Sequence, residues 1–389
     1  MINVEYIKTM EYECFMKRML CIVASMDAGG AETFLMKIYR NIDRKNYQID
    51  FLVSSNSIGF YDEEIRELGG NIYYTPPKSS RMLAYIVNTY SILKEGKYDA
   101  VLRMTAHSLG TIDLLIAKIA GTKQLVLRST NTDVVGGKFS LLLHKLFWFL
   151  PRWVPNVKLA PSTLAAEHLF GKGCVEKGEV NILKNAIPTE KYIFSLKLRQ
   201  DKRAELGIIN KFVVGHIGRF NKQKNHKFLL EVFSKICKAN PNAVLLLVGK
   251  GELEDNINNI AVDLNISDKV IFAGVRSDIP EIMMAMDIML FPSFFEGMPN
   301  VIIEAQATGL PCLISDHITK DAKILDDLVT FIPIDESVKK DWVNRVTSLV
   351  FSNRTDATMQ SFFIEAGYDI NVVKEEFIKF VFKEQVLGK

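Results

Sequence analysis

The stretch FFEGMPNVIIEAQATGLPCLISD, residues 294–316, decides how this chain is read. It sets Glu296 and Glu304 eight positions apart across a loop-to-helix junction. Pro299 suits the first turn of a helix, because its φ is already helical and its missing N–H would be unpaired there. Glu304 then falls inside the helix, while Glu296 stays in the preceding loop. The amides of Gly297, Met298 and Asn300 lie at the positive end of the helix dipole, where an anion such as a diphosphate is favoured. Flanking carboxylates accept hydrogen bonds from hydroxyls, one set on a ribose and one on a sugar ring. A phosphate cradle between two hydroxyl-binding carboxylates is what a nucleotide-sugar requires.

A pair of glutamates at that spacing is weak alone, and a second stretch strengthens it. KFVVGHIGRFNKQKNH, residues 211–226, reads as a buried strand running into a basic loop and then a helix. Gly218 permits a tight exit from the strand. Arg219 and Lys224 sit where the carboxyl end of a strand meets a helix start, the crevice in which open α/β sheets bind ligands. Arginine suits bidentate phosphate contact and lysine adds a compact charge. The alternative reading of this loop alone is a solvated basic turn.

Arg219, Lys224, Glu296 and Glu304 together resemble the signature of the retaining family-4 glycosyltransferases, which have the GT-B fold. MDAGGAET (26–33) is similar to that family's glycine motif and LKNAIP (183–188) to its inter-domain segment. The matching motifs run in order from about residue 19 to residue 320 and look most like those of bacterial exopolysaccharide and capsule enzymes. The resemblance implies that Arg219 and Lys224 hold the donor diphosphate and stabilise it as it leaves. It further implies that Glu304 accepts from the ribose, that Glu296 contacts the transferred sugar, and that His107 contacts the sugar. Gly29 and Gly30 would let the backbone approach donor phosphate or acceptor, with a plain strand-to-helix turn as the alternative. Glu32 reads as a first-turn helix residue rather than a catalyst.

GKGELED (249–255) fails as a dinucleotide fingerprint, since Glu254 stands at the third glycine position. By resemblance Gly249 and Gly251 line the donor, and GVRSDIP (274–280) reads the base through the backbone at Val275 and Arg276. A surface turn is the alternative for the latter. The chain also departs from its relatives. They often carry a second histidine before His107 and a histidine-rich segment near residues 128–132, where this chain has Thr105 and Arg128. The sugar or acceptor pocket is expected to differ accordingly.

Strand and helix patterns alternate throughout, which argues for parallel sheets covered by helices on both faces. The expected architecture is α/β: GT-B, two doubly wound Rossmann-like domains facing across a cleft. Residues 1–188 would form the acceptor-side domain, completed by a C-terminal helix at about 370–389, and residues 189–369 the nucleotide-sugar donor domain. With 389 residues, 48% of them hydrophobic, two cores of ordinary size are affordable.

A net charge of +3 gives no sign of nucleic-acid binding. The five cysteines are scattered, without the spacing of a disulfide framework or a zinc site. No Asp-x-Asp occurs, so no metal and no cofactor is expected, and activity should persist in EDTA. No signal peptide opens the chain; residues 1–15 read as an extension ahead of a natural start at Met16. KFSLLLHKLFWFLPRW (138–153) combines aromatics with Lys138, Lys145 and Arg152 and has no acidic residue. It reads either as membrane contact or as an amphipathic helix packed on the sheet.

The functional expectation is transfer of a sugar, from a UDP-linked donor, to a polyprenyl-diphosphate-linked saccharide in capsular or extracellular polysaccharide synthesis. The place would be the cytoplasm, peripheral on the inner face of the membrane. A nucleotide-sugar epimerase of the same architecture and a non-catalytic glycosyltransferase-like subunit are the competing readings.

Overall fold

The computed structural model describes residues 16–55, 57–78, 80–131, 137–348, 354 and 357–383. The expectation for residues 1–15 lies outside the described residues, as does Cys14.

The first half builds β1 (Lys17–Val23), β2 (Tyr47–Val53), β3 (Ile72–Tyr74), β4 (Ala100–Thr105), β5 (Gln124–Ser129), β6 (Val157–Ala160) and β7 (Asn181–Ile182). They form one sheet in the order β3-β2-β1-β4-β5-β6-β7. The second half builds β8 (Phe212–Ile217), β9 (Ala243–Val248), β10 (Val270–Phe272), β11 (Ile288–Phe291), β12 (Cys312–Ser315) and β13 (Val329–Ile332). These form a second sheet in the order β10-β9-β8-β11-β12-β13. Every pairing within both sheets is parallel. Runs such as LCIV in β1 and AVLLLV in β9 are buried along their length, as strands covered on both faces must be. The protein has the GT-B architecture of two doubly wound α/β halves.

Strand order reverses between β1 and β4 in the first sheet and between β8 and β11 in the second. A doubly wound sheet binds ligands at the carboxyl ends of the strands flanking such a reversal. Gly29 and Gly30 follow β1 and His107 follows β4. Arg219 and Lys224 follow β8, and Glu296 follows β11. The two switch points thus carry nearly all the chemistry-bearing residues.

Hydrophobic packing changes hands between Ala186, which belongs to the first core, and Ile187, which belongs to the second. The chain returns at residues 368–370: Ile187 donates to the Tyr368 carbonyl and accepts from the Ile370 amide, both at 2.9 Å. The last helix, Ile370–Phe382, then lies on the first core through Val373, Phe377 and Val381. Phe377 meets Phe34 edge-on at 6.5 Å between centroids. Cys21, Cys174, Cys237 and Cys312 are free and buried. Among the described residues no helix is long and apolar enough to cross a membrane.

Candidate active site

The loop after β8 leaves the sheet at Gly218, whose amide bonds the Val248 carbonyl at 2.9 Å. Asn221 then caps a short turn over Lys222–Lys224 through its side chain, and Asn225 takes a left-handed conformation before helix His226–Ala239. This geometry turns Lys224 back over the sheet. Its ammonium lies 2.6 Å from Glu296 Oε1 and 4.5 Å above the Phe291 ring. Arg219 points away and stays largely in solvent, with a loose approach of 3.8 Å to Glu252. Beneath the loop, His216 and His226 meet edge-on at 4.8 Å, both buried. Burial, then the neighbouring charge of Lys224, pushes the His226 imidazole down to about 4.

Glu296 and Glu304 are buried on opposite sides of the entry to helix Asn300–Ala307. Pro299 lies before that helix rather than in its first turn, which corrects the reading from sequence. Its ψ of 104° is extended, and its carbonyl instead accepts the Ile302 amide at 3.0 Å. Asn300 is the first helical residue. The N–H groups of Gly297, Met298 and Asn300 donate to no group among the described residues.

The remaining polar groups of this turn are held from the other half of the protein. The Gly297 carbonyl accepts from Ser162 Oγ at 2.8 Å, and the Met298 carbonyl from Asn185 Nδ2 at 3.1 Å. Gly297 sits so close to the end of β5 that a Cβ would lie 2.6 Å from the Thr130 carbonyl oxygen, a contact no side chain tolerates. Asn300 Nδ2 donates to the Gly30 carbonyl at 3.0 Å. Glu304 forms a buried ion pair with Lys37 of helix Gly30–Asn41 and lies beside the Tyr192 phenol. Burial and then the adjacent Glu304 charge keep that phenol well above its ordinary range.

Gly29 and Gly30 open helix Gly30–Asn41, and the Glu32 carboxyl folds back over Gly29, where a Cβ would stand 2.3 Å from Oε2. Burial pushes the Glu32 carboxyl up to about 7, against the pull of its own helix amide and of Arg219 and Arg103; Asp27 adds to the rise. Arg128, at the end of β5, is 2% exposed. One nitrogen donates to Asn185 Oδ1 at 2.7 Å and to the Leu183 carbonyl at 3.2 Å, and its carbon lies 4.0 Å from the centre of the Phe34 ring. It has no carboxylate partner among the described residues, and desolvation alone lowers the guanidinium to about 9.

The other sequence candidates are each engaged by neighbouring groups of the chain or lie at its surface. His107 uses both ring nitrogens inside the first half: Nδ1 accepts from the Leu109 amide at 3.1 Å, and Nε2 meets the Ser140 carbonyl at 2.9 Å. It braces helix Lys138–Leu146, and a sugar hydroxyl could reach it only by displacing one of those bonds. Gly249 and Gly251 are required by the nearby backbone: a Cβ on either would fall within 2.4 Å of the Gly218 or Phe220 carbonyl oxygen. Arg276 is committed to Asp278 and Glu205, at 2.5 and 2.8 Å, while Val275 is exposed beside it. Lys37, Arg128, Ser162, Asn185 and Tyr192 were not singled out as site residues in the sequence. Among the described residues no three His, Cys, Asp or Glu side chains cluster closely enough to hold a metal ion.

A site of this kind, between two doubly wound sheets, defines the chain as a glycosyltransferase: it belongs to the GT-B glycosyltransferases. The family "Glycosyl transferases group 1" matches residues 199–367. EpsF of Bacillus subtilis (strain 168), named as a glycosyltransferase, is 32% identical over 369 residues, 91% of this chain and 93% of its own length. The UDP-Gal:alpha-D-GlcNAc-diphosphoundecaprenol alpha-1,3-galactosyltransferase of Escherichia coli is 29% identical over 242 residues, covering 59% of this chain and 61% of that one. Among solved structures, HepE of Anabaena in complex with UDP and glucose superimposes with a TM-score of 0.74 at 20% identity. That match covers 93% of this chain and 98% of HepE, and the low identity carries the fold alone.

Proposed function

We propose that this glycosyltransferase is a retaining enzyme of family 4. It would move a sugar from a UDP-sugar to a hydroxyl of a polyprenyl-diphosphate-linked saccharide in capsular or extracellular polysaccharide synthesis. The observation that carries this reading is the meeting of the two loops of the second sheet's switch point, with Lys224 2.6 Å from Glu296 beside amides at a helix start that have no partner among the described residues. A nucleoside diphosphate suits that place: its phosphates take Lys224, Arg219 and the amides of Gly297 and Met298, and Glu304 takes the ribose hydroxyls. The substrates in the names of the Escherichia coli galactosyltransferase and of the N-acetylgalactosaminyltransferase of Campylobacter jejuni, both undecaprenyl-linked, support the acceptor class.

In the step itself the bond from the anomeric carbon to the β-phosphate oxygen breaks and one to the acceptor oxygen forms on the same face. The acceptor proton passes to the departing phosphate, and the nucleoside diphosphate leaves. Arg219 and Lys224 stabilise the charge that develops on it, so no divalent metal is needed. Glu296 contacts the transferred ring. We place the division between the acceptor-side and donor-side domains at residues 188/189, with the last helix returning to the first.

The acceptor's lipid tail fits a peripheral position on the inner face of the membrane. Phe139, Leu142, Leu146 and Trp153 are 71, 60, 60 and 81% exposed along residues 138–153. Beside them a pocket of about 370 Å³ is edged by Trp148, Arg152, Lys158, Lys172 and Lys177, whose charges suit anionic headgroups.

The test is release of nucleotide from a panel of UDP- and GDP-sugars in EDTA, with Glu296→Ala and Arg219→Ala alongside. Slow release from one donor, reduced about 10²–10³-fold by Arg219→Ala, is expected, as for loss of one preorganised donor to a developing anion. No release and no nucleotide binding in the wild type would overturn the reading.

A further inference from the structure

Arg128 is a buried cation with no carboxylate against it among the described residues, in a place where a neutral side chain would be cheaper. The energetic cost of such a group calls for a structural or chemical role, and its contacts supply one. The guanidinium fixes Asn185 by its Oδ1 at 2.7 Å, which leaves the Asn185 amide nitrogen one available direction. That nitrogen donates to the Met298 carbonyl at 3.1 Å. Because residue 299 is proline, the peptide after Met298 has no N–H of its own, so this carbonyl is the only handle by which it can be turned. Ser162 holds the preceding carbonyl, of Gly297, at 2.8 Å, and Thr130, two residues beyond Arg128, closes over Gly297. With the Gly297 carbonyl drawn toward the first half, the N–H of Met298 in the same peptide faces the other way, as planarity demands. The grip on the Met298 carbonyl fixes the next peptide, and with it the path through Pro299 to the Asn300 amide.

We propose that Arg128 is a positioning residue for the turn between Glu296 and Glu304, acting through Asn185 on the Met298 peptide. The first domain thereby sets the direction in which the second domain presents its amides to the donor. This role rests on the glycosyltransferase reading for its kinetic consequence, but not for its structural one. The guanidinium makes no contact with substrate. Both bonds leave one guanidinium nitrogen, whose two hydrogens are fixed in the plane of the group, a direction that a freely rotating lysine ammonium does not hold.

The decisive variant is Asn185→Asp. A carboxylate there still accepts from Arg128 and supplies its missing counter-charge, so folding is preserved. It cannot donate to Met298, and its oxygen repels that carbonyl. The expected result is a thermal midpoint no lower than wild type, with faster hydrogen exchange in the segment 294–303 and unchanged exchange elsewhere in the second domain. In a donor-hydrolysis assay kcat should fall about 10- to 100-fold, the scale of a displacement of about 1 Å at a reacting centre, with KM for the donor nearly constant. Arg128→Lys should lie between wild type and Asn185→Asp in both exchange and kcat. Wild-type exchange in 294–303 for Asn185→Asp would overturn the proposal whether or not any donor turns over. Wild-type kcat in that variant, from an active parent, would overturn it equally. An inactive parent with increased exchange in the variant would instead fault the proposed reaction and leave the relay supported.

Discussion

Replacing Lys37 by methionine removes the cation from a carboxylate that has almost no access to water. The side chains of Lys37 and Glu304 are 8 and 6% exposed, and they join helix Gly30–Asn41 of the first half to helix Asn300–Ala307 of the second. Removing one partner of a buried pair typically costs about 3–5 kcal/mol, because the other charge is left behind. A ceiling follows from proton uptake. A glutamate of ordinary acidity can be neutralised at pH 7 for about 3.7 kcal/mol, at 1.36 kcal/mol per pH unit above about 4.3. At pH 5.5 the same escape costs only about 1.6 kcal/mol. Lys37→Met should therefore lose about 3–3.7 kcal/mol at pH 7 and no more than about 1.6 kcal/mol at pH 5.5. The double variant Lys37→Met/Glu304→Gln leaves no charge stranded, so it should recover most of the stability. UDP affinity should fall about 5- to 30-fold in either variant, because hydrogen bonds from ribose to a neutral acceptor are weaker by about 1–2 kcal/mol than to a carboxylate. Urea unfolding at the two pH values and UDP calorimetry measure all of this. A loss under about 1 kcal/mol at pH 7, a loss independent of pH, or a double variant as unstable as the single one would each refute the reasoning.

Three further outcomes follow from the same geometry. Because burial raises the Glu32 carboxyl to about 7, its favourable contribution is complete below the ordinary glutamate range and is lost as pH rises through 7. Its new charge would also oppose an incoming diphosphate, so UDP affinity should decline between pH 6 and 8; calorimetry on Glu32→Gln should show that decline flattened. His226 has the opposite sign: lowered to about 4, it stabilises the fold fully above about 6.5 and progressively less toward pH 4. The acid limb of a stability–pH curve should then be shallower for His226→Phe, which keeps the edge contact with Phe220 now made at 4.9 Å. Vesicles rich in anionic lipid should bind the protein better than neutral ones. Lys172→Glu should weaken that binding about 5- to 30-fold, at about 1 kcal/mol per charge at the surface and two charges changed. Trp153→Ala should weaken binding to both kinds of vesicle, and equal sedimentation with neutral and anionic vesicles would rule out the charge-based docking.

Sequence carried the switch points well because each is written in one contiguous run. A buried strand, a glycine exit, paired charges and a helix start occupy sixteen consecutive residues at 211–226, and local rules suffice to join them. What completes the site lies far away in the chain. Lys37 is 267 positions from Glu304, Ser162 is 135 from Gly297, and Asn185 is 113 from Met298. Nothing in the amphipathic pattern of residues 30–41 distinguishes Lys37 from a surface lysine, since the helix periodicity tolerates it on the rim of the buried face. Asn185 was visible only as part of LKNAIP. Arg128 was noticed as a departure from relatives, yet a charged residue ending an apolar strand gives no sign that it will be buried. The strands β3, β6 and β13, of three or four residues, are too short for alternation to register, and β6 carries Lys158 on its exposed side. Pro299 misled by one position because proline serves equally before a helix and at its first residue; the pull of Asn185 on Met298 decides between them.

The charges of the site add a constraint that no single contact shows. Lys37, Arg128, Arg219 and Lys224 stand with two carboxylates, Glu296 and Glu304, while Glu32 is held near half-protonation at neutral pH. Among these residues the four cations exceed the two carboxylates by two charges before Glu32 is counted, and one of the cations, Arg128, is out of reach of solvent. A nucleoside diphosphate-sugar carries two negative charges on its phosphates, so its binding offsets that excess and favours the protonated form of Glu32. The exchange also has a direction. Lys224 begins on Glu296, and a diphosphate that draws the ammonium away removes that carboxylate's cation and makes room for other donors. The hydroxyls of a sugar attached to that diphosphate supply them in place, whereas a free nucleoside diphosphate does not. Phosphate recognition and sugar recognition are thus coupled through one lysine, and a donor with its sugar attached is the ligand that satisfies both.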